Sequence, residues 1–420
     1  MTAGETQQAI EAIFRIERAR LIAGLARVVR NVDLAEELAQ DALVIALSRW
    51  PGTGVPANPG AWLMTVAKRR AIDAIRRDKM RARKHEEIAR ELDGEVDDTP
   101  GMIEAAMNDD LGDELLGLIF TACHPVLSAD ARAALTLRVI GGLTTDEIAR
   151  AFLVPEPTVA QRIVRAKRTL SAAKVPFEVP QAEARAPRLA SVLKVIYLIF
   201  NEGYSATAGD DWMRPALCEE ALRLGRVLSG LVPDESEVHG LVALMEIQAS
   251  RTHARTDARG RPVLLLDQDR SRWDPLLIRR GLAALNTAHA LGGASGPYAL
   301  QAALAACHAR AHRAEDTDWA QIVALYDALA QVAPSPVVEL NRAVAVGMAF
   351  GPAAGLEIVD ALAADAALAN YHWLPSVRGD LLAKLGRMDE ARADFERAAA
   401  MTRNAREREL LLERARAVMQ

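Results

Sequence analysis

The chain has 420 residues and a net charge of −5; half of its residues are hydrophobic, a quarter are charged and 4% are aromatic. That length supports about two to four domains with cores of their own, and the composition excludes a disordered chain. Sparse aromatics and abundant Ala and Leu favour helix over sheet, and no apolar run approaches the roughly 20 residues that span a bilayer.

The N-terminal stretch MTAGETQQAIEAIFRIER meets charged residues before any apolar core of signal-peptide type forms, so a cytoplasmic protein with no membrane partner is expected. Apolar spacing in AIEAIFRIERARLIAGLARVV predicts a helix. Asn31 and Asp33 mark a break, and DLAEELAQDALVIALSRW then starts a second helix with acids in its first turns, where the helix dipole prefers them. Residues 51–60, PGTGVPANPG, hold three Pro and three Gly and are predicted to be a loop. AWLMTVAKRRAIDAIRRDKMRARK resumes as a helix with a dense basic face.

Charge changes sign along the chain. Residues 1–85 hold 15 Lys/Arg against 9 Asp/Glu, residues 86–114 one Arg against 12 acids, and residues 115–175 8 bases against 4 acids. Two basic blocks flanking an acidic segment suggest anionic partners for the blocks, with a linker that stays solvated or enters a basic channel. GEVDDTPG at 94–101 is the clearest linker within it.

The second basic block ends in GGLTTDEIARAFLVPEPTVAQRIVRAKRTL, residues 141–170. Thr144 and Glu147 form a capping-box pattern, so TTDEIARAF should be a short helix. LVPE makes the turn, and Pro157 suits the first position of the next helix. On a helical wheel Val159, Ile163, Ala166 and Leu170 share one face and should be buried, whereas Thr158, Gln161, Arg162, Arg165 and Arg168 gather on an exposed face. A capped helix, a tight turn and a second helix with a Gln/Arg face fit a DNA-reading helix-turn-helix; an ordinary helix pair with a solvated face is the bland alternative. Thr158 and Gln161 are best placed for base edges, and the arginines for phosphates or guanine.

Beyond Pro176, Pro180 and Pro187 the pattern is helix after helix, except that DARGRPVLLLDQDRSRW reads as a strand or an extended loop. Near the C-terminus, Gly379, Leu382, Gly386, Ala391, Phe395 and Ala398 are spaced as in a tetratricopeptide unit, where small residues let antiparallel helices approach. Ala343, Gly355 and Val359 repeat the design about 36 residues earlier, and residues 303–334 form a third, looser copy. A generic array of helical hairpins is the plainer reading.

VPEPTVAQRIVRAKRTL resembles region 4 of the extracytoplasmic-function (ECF) sigma factors of bacterial RNA polymerase. AEELAQDALVIALSRW resembles that family's region 2 core-binding helix, and AWLMTVAKRRAIDAIRR its promoter-melting helix. The match covers residues 8–175, and the remainder resembles the subgroup with a large C-terminal helical extension. The resemblance implies an all-α fold: region 2 over 8–85, an acidic linker over 86–111, region 4 over 112–175, a helical extension over 185–295 and tetratricopeptide-like repeats over 296–420. Its implied partners are core RNA polymerase and promoter DNA, with a protein partner or intramolecular docking for the extension and a nucleoid-associated location.

By the same resemblance, Glu37, Gln40 and Asp41 bind the polymerase β′ clamp helices. Asn58 in the base-capturing loop, Trp62, Lys68, Arg69, Arg76 and Arg77 contact −10 DNA, and Asp73 braces an arginine. Thr158, Gln161, Arg162, Arg165 and Arg168 read the −35 element. The chain departs from the family in its Pro-Ala-Asn-Pro loop, in Pro157 where Gly is usual and in Ala160 where a basic residue is common. A helix-turn-helix activator with a repeat sensor domain and a repeat scaffold with no nucleic-acid role are the alternatives; the order region 2, linker, region 4 favours the sigma factor.

Chemistry is sparse. Cys123-His124 and Cys307-His308 lack metal-type spacing, Cys218 stands alone, and no Walker loop or dinucleotide fingerprint occurs. Asp267, Asp269 and Asp274 near Arg270 and Arg272 read best as a self-paired loop. Asn201, Glu202, Tyr204, Asp211 and Arg214 read best as helix-terminus bracing rather than a ligand pocket. No enzyme, cofactor or metal is expected.

Overall fold

A computed structural model describes residues 3–87, 111–152, 154–206 and 212–419. Among these residues the regular elements are all helical, and the β-type contact is an isolated bridge between Thr256 and Pro262. The linker at 94–101, most of the acidic segment and Asp211 lie outside the described residues. The chain divides into two compact units, Met1–Val195 and Ile196–Gln420.

The first unit opens with three helices, α1 (Ala3–Val29), α2 (Val32–Thr53) and α3 (Pro59–Glu87), each packed against the other two. The predicted break is a cap: the Asn31 side chain accepts from the Leu34 N–H at 3.2 Å, which satisfies one of the donors a helix start leaves open. Small buried residues (Ala35, Ala39, Ala42 and Ala46 on α2, Ala67 and Ala71 on α3) let the helices approach, around Leu25, Leu63 and Trp50. The 51–60 loop is shorter than its composition predicts. Helix α2 runs through Pro51 to Thr53, and α3 starts at Pro59. Proline's fixed φ suits both places: Pro51 gives up one hydrogen bond in a last turn, and Pro59 sits in a first turn. The turn itself is 54–58, entered through Gly54 at φ 80°.

Four more helices follow: α4 (Leu111–Ala122), α5 (Ala129–Val139), α6 (Thr145–Phe152) and α7 (Glu156–Ala172). Both arms of the capping box form. The Glu147 N–H donates to Thr144 Oγ1 at 3.1 Å, and the Thr144 N–H to the Glu147 carboxylate at 2.7 Å. Helix α7 begins at Glu156, so Pro157 occupies its second position rather than its first. The start of α8 (Ala182–Tyr204) braces this bundle: Arg188 donates to the Phe120 carbonyl at 2.8 Å and Ser191 to the Cys123 carbonyl at 2.7 Å.

The second unit continues with α9 (Pro215–Leu231), α10 (Ser236–Ala249), α11 (Pro275–Ala290), α12 (Pro297–Arg310) and α13 (Trp319–Val332), then α14 (Pro336–Phe350), α15 (Pro352–Leu362), α16 (Trp373–Lys384), α17 (Met388–Met401) and α18 (Ala405–Ala417). The Val-Leu run is an extended loop with short 3-10 turns at Leu265–Asp267 and Arg270–Arg272. The hairpin design holds. Ala343, Gly355 and Val359 on α14 and α15 correspond, 36 residues on, to Gly379, Ala391 and Phe395 on α16 and α17. A Cβ on Gly355 would stand 2.6 Å from the Ala343 carbonyl oxygen, so glycine is what lets that pair of helices touch.

Half-buried in this unit, the His308 ring packs edge-on against Trp319 at 5.3 Å. Burial, reinforced by Arg251 and Arg270, pushes its pKa down to about 4. The imidazole is therefore neutral in the fold, while the unfolded chain takes up its proton near 6.5. Its contribution to stability is whole above about pH 6.5 and is lost as pH falls towards 4, by roughly 2–3 kcal/mol. In urea titrations of the full chain between pH 7 and 4.5, His308→Phe should flatten this acid slope; an unchanged slope would show that other groups set it.

Candidate nucleic-acid interface

The helix-turn-helix sorts its residues as the wheel predicts. Val159, Ile163, Ala166 and Leu170 are all buried, and they fix the rotation of α7. Gln161, Arg165 and Arg168 are exposed, and Thr158 is half-buried beside them. Arg165 and Arg168 have no ion-pair or hydrogen-bond partner among the described residues. Arg162 differs: it reaches back to Asp130 on α5 at 3.2 Å, which partly neutralises it. The free groups thus form a strip of one amide and two guanidiniums, about the chemistry a base edge and two phosphates accept.

On α3, Trp62, Arg69 and Arg76 recur every seven residues, roughly 10 Å apart along one face. Arg69, Arg76 and Arg77 are exposed, and Lys68 is half-buried. Trp62 is half-buried too, edge-on to the buried Trp50 with ring centroids 5.2 Å apart. It belongs partly to the core and keeps part of its ring at the surface. Asn58 is exposed, but its Oδ1 caps α3 by accepting from the Ala61 N–H at 3.1 Å. Arg77 donates to the backbone carbonyl of Asp73 at 3.2 Å, so the brace there uses the main chain and not the carboxylate. On α2, Glu37 and Gln40 are exposed, whereas Asp41 is already paired with Arg70 at 2.7 Å.

Residues 13–81 match the family model for sigma-70 region 2, and residues 118–170 that for sigma-70 region 4. The chain belongs to the sigma-70 family of RNA polymerase sigma factors. It is ECF-like, with regions 2 and 4 followed by a C-terminal extension, of which residues 188–289 match the family of unknown function DUF6596. As a sigma factor it acts in transcription initiation with core RNA polymerase and promoter DNA as its partners. An uncharacterized protein of Rhizobium meliloti (strain 1021) is 46% identical over 391 residues, covering 93% of this chain and 91% of that relative. No solved structure matches.

The sigma factor also carries a polar cluster that sequence reading passed over. Lys167 sits on α7 next to the buried stripe, turned from the arginine strip, with only 9% of its side chain exposed. It donates to Glu36 at 2.8 Å and to Asp33 at 2.7 Å, both on region 2. Arg138 of region 4 and Arg18 of region 2 meet the same Glu36 carboxylate. Burial alone would raise the Glu36 pKa, but the Lys167 hydrogen bond and the charges of Lys167, Arg138 and Arg18 outweigh it and hold the carboxyl below its usual range. One signal was available in the sequence: Lys167 lies one turn beyond Ile163 and directly after Ala166, both on the buried stripe.

The other cysteine- and motif-based readings resolve plainly. The buried thiols of Cys123 and Cys218 are pushed up by burial to about 11 and about 12, which keeps them protonated and unreactive. Asp269 and Asp274 cap their own turns and helix, through Ser271 and through Leu276 and Leu277. Glu202 pairs with Arg214 across the α8–α9 connection, the bracing role expected of that motif.

Proposed function

We propose that this sigma factor reads −35 duplex DNA through α7 and captures melted −10 DNA along α3. In region 4, Gln161 with Thr158 reaches base edges, Arg165 and Arg168 hold phosphates or guanine, and Arg162 contributes once DNA competes with Asp130. In region 2, Trp62 stacks with an unpaired base while Lys68, Arg69, Arg76 and Arg77 follow the strand backbone. Asn58 acts as the cap that sets where α3 starts, leaving its exposed edge for a base. Glu37, Gln40 and Asp41 form the acidic face offered to the polymerase clamp helices. The C-terminal extension regulates these steps by binding a partner or by intramolecular docking, and the protein works in the cytoplasm, at the nucleoid.

The observation that carries this reading is the unpaired Gln161/Arg165/Arg168 strip on a helix whose opposite face is wholly buried. Run-off transcription with the full chain and purified core enzyme tests it on a library of promoter fragments. Initiation from a defined subset of fragments is expected. Duplex binding without any polymerase-dependent initiation would instead mark a helix-turn-helix activator.

A further inference from the structure

The C-terminal unit holds a run of arginines that no carboxylate meets. Arg251 and Arg255 follow α10, and Arg270 opens the 3-10 turn before α11. Burial strips a guanidinium of water, so a buried arginine ordinarily pairs with an acid. Arg18 does so with Glu36. Arg255 is as deeply buried, at 7% exposure, yet neither it nor Arg251 nor Arg270 has an ion-pair partner among the described residues. Asp316 and Glu315 act on Arg270 only at a distance, and both are exposed.

Aromatic rings stand where acids would. The Arg255 guanidinium lies 3.5 Å from the Tyr204 ring centre and 5.5 Å from that of Trp212. Arg251 lies 5.7 Å from both the Tyr204 and the Trp273 rings, and Arg270 lies 5.1 Å from Trp273. Neighbouring guanidiniums are therefore at most about 11 Å apart, close enough to repel where little water screens them. Ring faces attract cations but bring no net charge, so three positive charges stay unbalanced. Polar atoms are left over as well. The indole N–H groups of Trp212 and Trp273, Arg270 Nε and His308 Nδ1 are buried with no hydrogen-bond partner, and Trp273 itself is only 4% exposed. Arg270 is held in place by the carbonyls of His308 and Ala311, at 2.7 and 2.6 Å. Arg251, Tyr204 and Trp212 are half-buried, which gives the run a route to solvent.

We propose that this arginine–aromatic run is a binding site for a small polyanionic molecule, whose carboxylate or phosphate oxygens accept from Arg251, Arg270 and the Trp273 indole N–H while Arg255 adds its charge. Three cations favour a ligand with two or more negative charges over a monoanion. The guanidinium fork suits both kinds of oxyanion. The site makes the extension a receptor for a small acid, and its existence does not depend on how the sigma regions read a promoter.

Calorimetric titration of the full chain with acetate, phosphate and citrate, each against sodium chloride of equal ionic strength, tests the site. Phosphate or citrate should bind with a Kd of about 1 mM or tighter, and acetate at least tenfold more weakly. Citrate ahead of phosphate marks a carboxylate ligand; the reverse order marks a phosphate. Arg251→Gln, with its fold checked by circular dichroism, should weaken binding tenfold or more, because it removes a charged donor. Tyr204→Phe removes only the hydroxyl that accepts from Arg251 at 2.5 Å and keeps every cation. It should bind the anion at least as tightly as wild type. Arg259→Gln, an exposed cation on the same connection, should change nothing. No binding above the chloride control in wild type and Tyr204→Phe would overturn the site. So would Arg251→Gln binding like wild type, or an equal loss in Arg259→Gln, which would mark general surface attraction.

Discussion

Replacing Arg165 and Arg168 together with alanine is expected to weaken binding to −35 duplex DNA by roughly 100-fold, about 3 kcal/mol shared between two contacts. Both guanidiniums are exposed, lie three residues apart on one face of α7 and have no ion pair to give up among the described residues. DNA therefore gains their full charge without first breaking a protein contact. Arg162→Ala should cost less, because part of what it offers DNA is already spent on Asp130 at 3.2 Å. A titration of holoenzyme against labelled promoter at several salt concentrations separates the contributions. If both arginines hold phosphates, the slope of log affinity against log salt should fall by about two; a guanine contact would show as relaxed sequence preference at one position. Affinity and slope both equal to wild type would remove α7 from the promoter interface.

The fold of this region was legible because local rules decide it. Thr144 and Glu147 are three residues apart and cap one helix, and the Val159/Ile163/Ala166/Leu170 stripe fixes the rotation of the next. Composition misled where it averaged over position: the prolines of 51–60 lie at a helix end and a helix start, so the loop shrank to five residues. The Val-Leu run at 263–266 was ambiguous because a strand needs a partner strand. Val263 instead donates to the Arg255 carbonyl at 2.8 Å, closing a local loop. What sequence could not show were pairings made only by packing. Asp41 with Arg70 spans 29 residues, and Lys167 with Asp33 spans 134. Helical spacing within one element gives no sign of either pair, because each joins side chains of two different helices. The Asp41 contact also bears on the proposed polymerase-binding role of this face, since that role would require the carboxylate to be shared with, or released by, Arg70.

Gly203→Val in the FNEGYSA stretch should destabilise the C-terminal unit by about 3–5 kcal/mol, lowering its melting temperature by on the order of 10 °C. Glycine within a helix costs about 1 kcal/mol relative to alanine, so its presence near the end of α8 calls for a compensating contact. The contact is close backbone approach: a Cβ on Gly203 would stand 2.6 Å from the Cys218 amide nitrogen and 2.8 Å from Leu217 Cβ, at the start of α9. The Gly203 carbonyl accepts from the Arg214 N–H at 2.7 Å, tying the two helices where they meet. On one side Glu202 pairs with Arg214. On the other, the Tyr204 ring lies 3.5 Å under the buried Arg255 guanidinium, which also donates to the Tyr204 carbonyl. Displacing α8 from α9 would disturb all of these at once, because a backbone atom cannot move aside as a side-chain end can. Gly230 on α9 supplies the comparison, since nothing lies within 4 Å of where its Cβ would go. Gly230→Ala should leave stability unchanged or raise it by up to about 1 kcal/mol through the unfolded chain. Calorimetry of the full-length variants decides the matter. If Gly203→Val melts like Gly230→Ala, the glycine in this motif is not there for helix contact.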